Sequence, residues 1–282
     1  VGERFCGWLK EKYGTHEKLE AAWGGKAAFD SFEGDGFPAS GEHLDKNNIL
    51  PLGNPWYWDP EQLAGSQAFR RQRLLDSLEF LYRLQCEFFE RYVSAVREAG
   101  YQGEIVSSNW QAGRAYSHFA NLHSDWLVGT IDRHNYSGGG AGGHGITTGS
   151  VNNETHLTRP GRGILSSGLW QVEDKPFIMT EWTQKPPNQW KAEIAPLMAF
   201  YGMGLQGWDA SYHFAGSRSY MGNGWPSMNS YVTETPHYIG QFPALAFAIY
   251  NNHFDEGSIV AARRLATDNI FAGIDALQQI QG

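Results

Sequence analysis

Two rhythms of apolar residues divide this chain. Phe5, Trp8, Leu9 and Tyr13 recur at helical spacing and Gly14 ends the run, which predicts a first helix from residue 4. A second, shorter helix fits Thr15 to Trp23, with the Thr15 side chain as its N-cap and Glu17-Lys18 in its first turn. Residues 24–65 keep no period and are rich in Gly, Pro, Asn and Asp. They read as a long excursion around Trp56-Tyr57-Trp58-Asp59-Pro60, and an excursion of that length in a compact domain is usually functional or a lid. The longest helix is predicted from Ser66 to Ala99. Its apolar stripe is Phe69, Leu74, Leu78, Leu81, Leu84, Phe88, Tyr92 and Val96, and Gly100 stops it.

After Gly100 the rhythm shortens. Glu104–Ser108, Trp126–Asp132, Lys175–Thr180 and Gly204–Asp209 each read as a strand, with helices predicted at Trp190–Gly202 and Pro236–Asn251 and one more strand candidate at Ser258–Ala262. Short apolar strands alternating with helices imply the α/β class, a parallel sheet covered by helices. The residues just past the strand ends then gather on one rim, which in a (β/α)8 barrel carries the active site. Here those ends hold Asn109-Trp110, His134 with Tyr136, Glu181-Trp182 and Trp208-Asp209. Each is polar and aromatic at once. Indole faces stack on the apolar faces of sugar rings while polar neighbours take the hydroxyls, so the set points to a carbohydrate site.

Composition sharpens that picture. Eleven Trp, thirteen Tyr and sixteen Phe are present, many of them in Gly- or Pro-rich stretches rather than in periodic helices. The formal charge of −8 and the lack of any Lys/Arg-rich run argue against nucleic acid as a partner. No apolar window is long enough to predict a membrane span. Cys6 and Cys86 match no metal or redox spacing and read as small buried apolar residues. His123, His144 and His156 lack ligand spacing and read as solvated loop residues, so no metal or other cofactor is expected. The Gly-rich run Gly138–Gly145 lacks the Lys-Ser/Thr ending of a phosphate loop and reads as a flap over a cleft.

The strand-end set Asn-Trp, His-x-Tyr, Thr-Glu-Trp and Gly-Trp-Asp resembles strands five to eight of the clan of retaining (β/α)8 glycoside hydrolases. The opening segment from Phe5-x-x-Trp8 to Ala22-Trp23-Gly24 is similar to the stretch after strand four in the family 42 β-galactosidases. The resemblance covers residues 4–215. It implies a TIM-barrel fold of which this chain holds strands five to eight and their helices over residues 1–255, with 256–282 as a tail or the start of a following segment. It maps the catalytic nucleophile onto Glu181. The general acid/base of that clan, a Glu after Asn at the end of strand four, is expected upstream of Val1; the Asn153-Glu154 pair is out of order and reads as a loop carboxylate.

Around Glu181, Tyr136 is expected to hydrogen-bond the carboxylate and Trp208 to form the floor of the sugar site. His134 is expected to point to the same side as Tyr136 in the substrate site, Asn109 and Trp110 are expected at hydroxyls, and Trp182, Asp209, Trp56 and Trp58 at outer subsites. The resulting expectation is a retaining, β-galactosidase-like hydrolase acting on an oligo- or polysaccharide. An endo-acting polysaccharide hydrolase of the same clan and a carbohydrate-binding protein without turnover are the alternatives. A metal-dependent barrel hydrolase needs a His/Asp cluster at the strand ends, and only His134 is placed for it. Half a barrel would expose sheet edges and apolar surface, so self-association is expected.

Overall fold

The structure is a computed structural model that describes residues 1–29, 41–109, 115–138, 152–159, 161–185, 188–214 and 239–274. In chain order its main elements are α1 (Gly2–Tyr13), α2 (His16–Trp23), α3 (Pro60–Ala64), α4 (Arg71–Glu98), α5 (Ala115–Trp126), β1 (Ile131–Gly138), β2 (Phe177–Lys185), α6 (Ile194–Leu197), β3 (Ala210–His213), α7 (Phe242–Tyr250) and α8 (Thr267–Phe271), linked by short 3-10 turns. The fold is mixed α/β: many helices and a three-stranded parallel sheet in the order β1-β2-β3. The chain divides into two compact units. One comprises residues 1–103, 111–128 and 263–282; the other comprises 104–110 and 129–262.

The first unit is helical, and its punctuation follows the sequence. Gly14, at φ 84°, closes α1 where a side chain would be strained, and the Thr15 hydroxyl accepts from Lys18 N–H at 3.4 Å to open α2. One core gathers Phe5, Leu9, Leu19, Trp23, Ile49 and Phe80; another gathers Leu52, Trp58, Leu63, Leu74, Leu78 and Tyr116. The 24–65 excursion is anchored to α4 by charge. The Arg73 guanidinium, fully buried, makes a two-pronged contact with Glu42 at 2.7 Å and also donates to Ala28 O and Leu50 O. Asp76, also fully buried, accepts from Tyr13, Trp23, Lys12 and Gln72. The predicted stripe on α4 is buried only in its first half: Phe88 and Tyr92 stack on each other at the surface, 6.2 Å between ring centroids. Residues of the expected tail belong here too, with Arg71 and Tyr116 donating to Gly273 O and Ile270 in the core.

In the second unit several predicted boundaries move. The 104–108 segment makes a single parallel bridge, Val106 to Thr130, beside β1. Trp126 ends a helix rather than starting a strand: Leu127 and Val128 N–H still bond back to His123 O and Asp125 O, and β1 begins at Ile131. His134 and Tyr136 therefore lie inside β1 instead of past it, and Glu181 and Trp182 lie inside β2. The run read as a fourth strand, Gly204–Asp209, is the end of a π-helical turn (Met198–Leu205) that continues α6, followed by a left-handed turn at Gly207. β3 starts only at Ala210. Ser258–Ala262 has no regular structure and is exposed. Of the predicted helix at 236–251, α7 occupies Phe242–Tyr250. The flap Gly138–Gly145 lies outside the described residues after its first residue.

Candidate active site

Asp132, His134 and Tyr136 stand two residues apart on β1, so their side chains share one side of the strand. Opposite them the register slips: Arg133 pairs with Met179 but His134 pairs with Glu181, which leaves Thr180 as the extra residue of a β-bulge. In a regular strand Thr180 and Glu181 would face opposite sides. The bulge turns both towards one imidazole, with Thr180 Oγ1 3.1 Å from His134 Nε2 and Glu181 Oε2 3.1 Å from His134 Nδ1. A bulged residue loses its ladder partner, and here Asp132 replaces it. Thr180 N–H donates to Asp132 Oδ1 at 3.0 Å and the Thr180 hydroxyl donates to Oδ2 at 2.5 Å.

Glu181 completes the group. The Tyr136 hydroxyl donates to the same Oε2 that faces His134, and the Tyr136 ring meets His134 and Phe214 edge-on. His134 Nδ1 approaches that oxygen off its donor axis, so this contact acts through charge at short range rather than as a linear hydrogen bond. The Glu181 side chain keeps 30% of its surface exposed and that of His134 only 6%. Burial pushes the His134 imidazole below its ordinary range, against the pull of the Glu181 and Asp132 carboxylates. Burial moves Asp132 the other way, upward, against its two hydrogen bonds from Thr180. The Glu181 carboxylate is thus held by a phenol and still reaches solvent.

The remaining polar residues near the ends of β1 and β2 are structural. Trp182 is buried edge-on against His213, whose Nε2 lies 3.0 Å from Thr183 Oγ1; burial, with Lys191 adding to it, pushes His213 down to about 3. Lys191 is buried as well, donates to Gln184 O at 2.8 Å, and is brought down to about 8 by burial. Ser137 Oγ and His156 Nε2 lie 2.8 Å apart, as a nucleophile and its base would. His156 Nδ1, however, accepts from Ile164 N–H at 3.2 Å, which places the proton of the neutral ring on Nε2. His156 thus donates to Ser137 and cannot serve it as a base. It is buried, not the solvated loop residue expected.

The expected site residues separate. Glu181, His134 and Tyr136 converge, with Trp182 beside them in sequence but buried. Trp208 and Asp209 do not join them. They precede β3, and Asp209 pairs with Phe177 at the start of β2, both as backbone donor and as side-chain acceptor at 2.9 Å. Glu181 lies four residues further along β2, roughly 13 Å at the rise of a strand. Trp208 is a core residue, packed on Phe177 and Tyr201 and against Gly202, where a Cβ would stand 2.4 Å from the indole. It is no floor for a sugar at Glu181. Trp58 is likewise core, while Trp56 is exposed. Asn109 is exposed, and Trp110 and His144 lie outside the described residues. Glu154 forms a surface pair with Arg159 at 3.2 Å. Both cysteines are free thiols. Among the described residues there is no group of three or more metal-ligand side chains, and no helix is long and apolar enough to cross a membrane.

Asp132 and Thr180 are the members that sequence reasoning passed over. The period-two spacing of Asp132, His134 and Tyr136 was the available signal for the first; the bulge that recruits Thr180 has none. Compared with family models, curated proteins and solved structures, the chain finds no match in any of the three.

Proposed function

We propose that this chain carries the nucleophile side of a retaining glycoside hydrolase acting on β-linked sugars, β-galactosides first, with Glu181 as the nucleophile. The observation that carries the reading is the convergence of Tyr136 and His134 on one oxygen of Glu181, at a bulge in neighbouring parallel strands. A hydrogen bond from the phenol favours the charged carboxylate and holds its orientation. In the double-displacement mechanism Glu181 attacks the anomeric carbon and forms a glycosyl ester; a second carboxyl group protonates the departing oxygen and then deprotonates the water that cleaves the ester. That second group is not assigned among the described residues. The same proposal includes the barrel. The 104–108 segment, β1, β2 and β3 run parallel in chain order, the arrangement that strands five to eight of a (β/α)8 barrel would have.

The test is incubation with 2-fluoro-glycosides that carry a dinitrophenolate leaving group, followed by intact mass and peptide mapping. Such a leaving group departs without protonation, so the acid/base is not needed. A covalent sugar on the Glu181 peptide is expected. Absence of an adduct with galactosyl, glucosyl and mannosyl reagents on a folded sample would make a non-catalytic carbohydrate-binding protein the better description.

A further inference from the structure

His16 and His43 are stacked where residues 41–48 of the excursion meet the start of α2, with 3.8 Å between ring centroids and 28° between the planes. Each ring engages a backbone amide through Nδ1. His16 Nδ1 accepts from Leu44 N–H at 3.4 Å, and His43 Nδ1 accepts from Asp45 N–H at 3.2 Å. A neutral imidazole that accepts at Nδ1 carries its proton on Nε2, so both rings are Nε2–H tautomers. Two consecutive amides of the 3-10 turn Leu44–Lys46 are thus held by two neutral rings, one on α2 and the other the N-cap of the turn itself. Leu44 belongs to the core that contains Phe5, Leu9 and Leu19.

Protonation undoes each part of this arrangement. An imidazolium has an N–H on both nitrogens and accepts nothing, so a proton on Nδ1 ends that ring's contact with its amide. Two imidazolium rings face to face at this separation also repel, and the His16 side chain is only 14% exposed, so solvent screens the repulsion weakly. His16 is the first residue of α2 as well, where the helix N-terminus disfavours a cation. Carboxylates from both elements oppose these effects. Glu20 Oε2 lies 4.0 Å from His16 Nε2, Asp45 Oδ2 lies 3.8 Å from His43 Nδ1, and Glu17 on α2 acts on His16 too. The Asp45 side chain is 80% exposed and Glu17 is exposed, so the pull of both is screened. The nearby Phe29 ring adds no charge. Burial, followed by the neighbouring His43, prevails over the carboxylates and holds His16 below its ordinary range.

We propose that the His16–His43 stack is an acid-sensitive clasp: with both rings neutral it fastens the His43–Asn47 turn to the start of α2, and with both rings protonated it lets that turn loosen. Stacking and the two Nδ1 contacts carry the assignment, because each exists only while its rings are neutral. The direction follows from His16. Below 6.5 a released His16 takes up a proton that the stacked ring refuses, so the opening constant of the turn rises as pH falls, by up to about tenfold per pH unit, until the stacked ring itself titrates. Glu42, beside His43 in sequence, stays tied to Arg73 by contacts that involve neither ring, which confines the loosening to the turn. The clasp does not depend on the role of Glu181.

The test is amide hydrogen exchange on the full chain, expressed as protection factors so that the intrinsic pH dependence of exchange drops out, with the side-chain titration of His16 followed by NMR. Protection at Leu44 and Asp45 is expected to fall by up to about tenfold per pH unit below 6.5, while the amides of α1 keep theirs. His16→Gln, whose carboxamide oxygen still accepts from Leu44 N–H but takes up no proton, is expected to flatten the fall at Leu44. His43→Gln, which removes the facing ring's charge, is expected to raise the midpoint at which His16 titrates. Level protection at Leu44 from about pH 7 to about pH 5 overturns the proposal. So does the same fall in His16→Gln, a His16 midpoint unmoved by His43→Gln, or a loss shared equally by the amides of α1, which would be acid unfolding of the whole unit.

Discussion

In the first unit Arg73 is fully buried and meets a carboxylate and two carbonyls, while Asp76, as deeply buried, receives four donors. In the second unit four ionisable groups are governed by burial instead. His134 and His213 are driven towards the neutral form by burial, Lys191 is brought within reach of deprotonation, and Asp132 is moved up towards protonation. A buried charge that meets partners on several sides fixes geometry. A group that desolvation holds between its two forms can give or take a proton at modest cost, which is why such groups gather where chemistry is done. On the proposed function, the second of these two treatments surrounds the residue that carries the chemistry, Glu181.

The largest effect that would break this contrast is at Glu181 itself. Glu181→Gln keeps the shape and removes the charge, so complete loss of the covalent adduct with an unchanged thermal transition is expected. Normal labelling of this variant would move the chemistry elsewhere. Next is Arg73→Met, which leaves Glu42 buried and unpaired and should lower stability by about 3–5 kcal/mol in urea unfolding. A loss below roughly 1 kcal/mol would mean that the pair is not the pin it looks to be.

The pH profile is a finer test. The His213 imidazole is lowered to about 3 in the folded state against an ordinary 6.5, so below 6.5 the unfolded chain takes up a proton that the folded chain refuses. Its contribution is therefore complete above 6.5 and is lost as pH falls towards 3, at up to about 1.4 kcal/mol per pH unit. Denaturant titrations of wild type and His213→Gln across that window should converge as the pH drops; parallel curves would show that burial does not hold this ring neutral. Thr15→Ala is the smallest change. Its cap contact is long, at 3.4 Å, and a loss of about 0.5–1 kcal/mol is expected in the same assay.

What was readable in advance depended on how local its cause is. α1, α2 and α4 follow from apolar period and from Gly14, Thr15 and Gly100, all of which act within a turn of where they stand. β2 was visible as an apolar run ending at Thr-Glu-Trp. α5 was not, because it buries Ser117, His118, Asn121, Ser124 and Asp125, and a helix that turns polar residues inward shows no apolar period. β3 was misplaced because the apolar run before it winds as a π-helical turn. Gly202 gives up its side-chain space there to the Trp208 indole, which comes from the next segment.

The sequence by itself therefore determined α1, α2 and α4, the identity of Glu181 as the carboxylate in the Thr-Glu-Trp stretch of β2, and the period that sets His134 and Tyr136 on one side of β1. Only the tertiary structure decided that Thr180 and Glu181 face the same imidazole and that Trp208 lies in the core at the far end of β2. The reason is that a bulge is a slip between two strands about 45 residues apart in sequence, created by their pairing, and no residue within either strand specifies it alone.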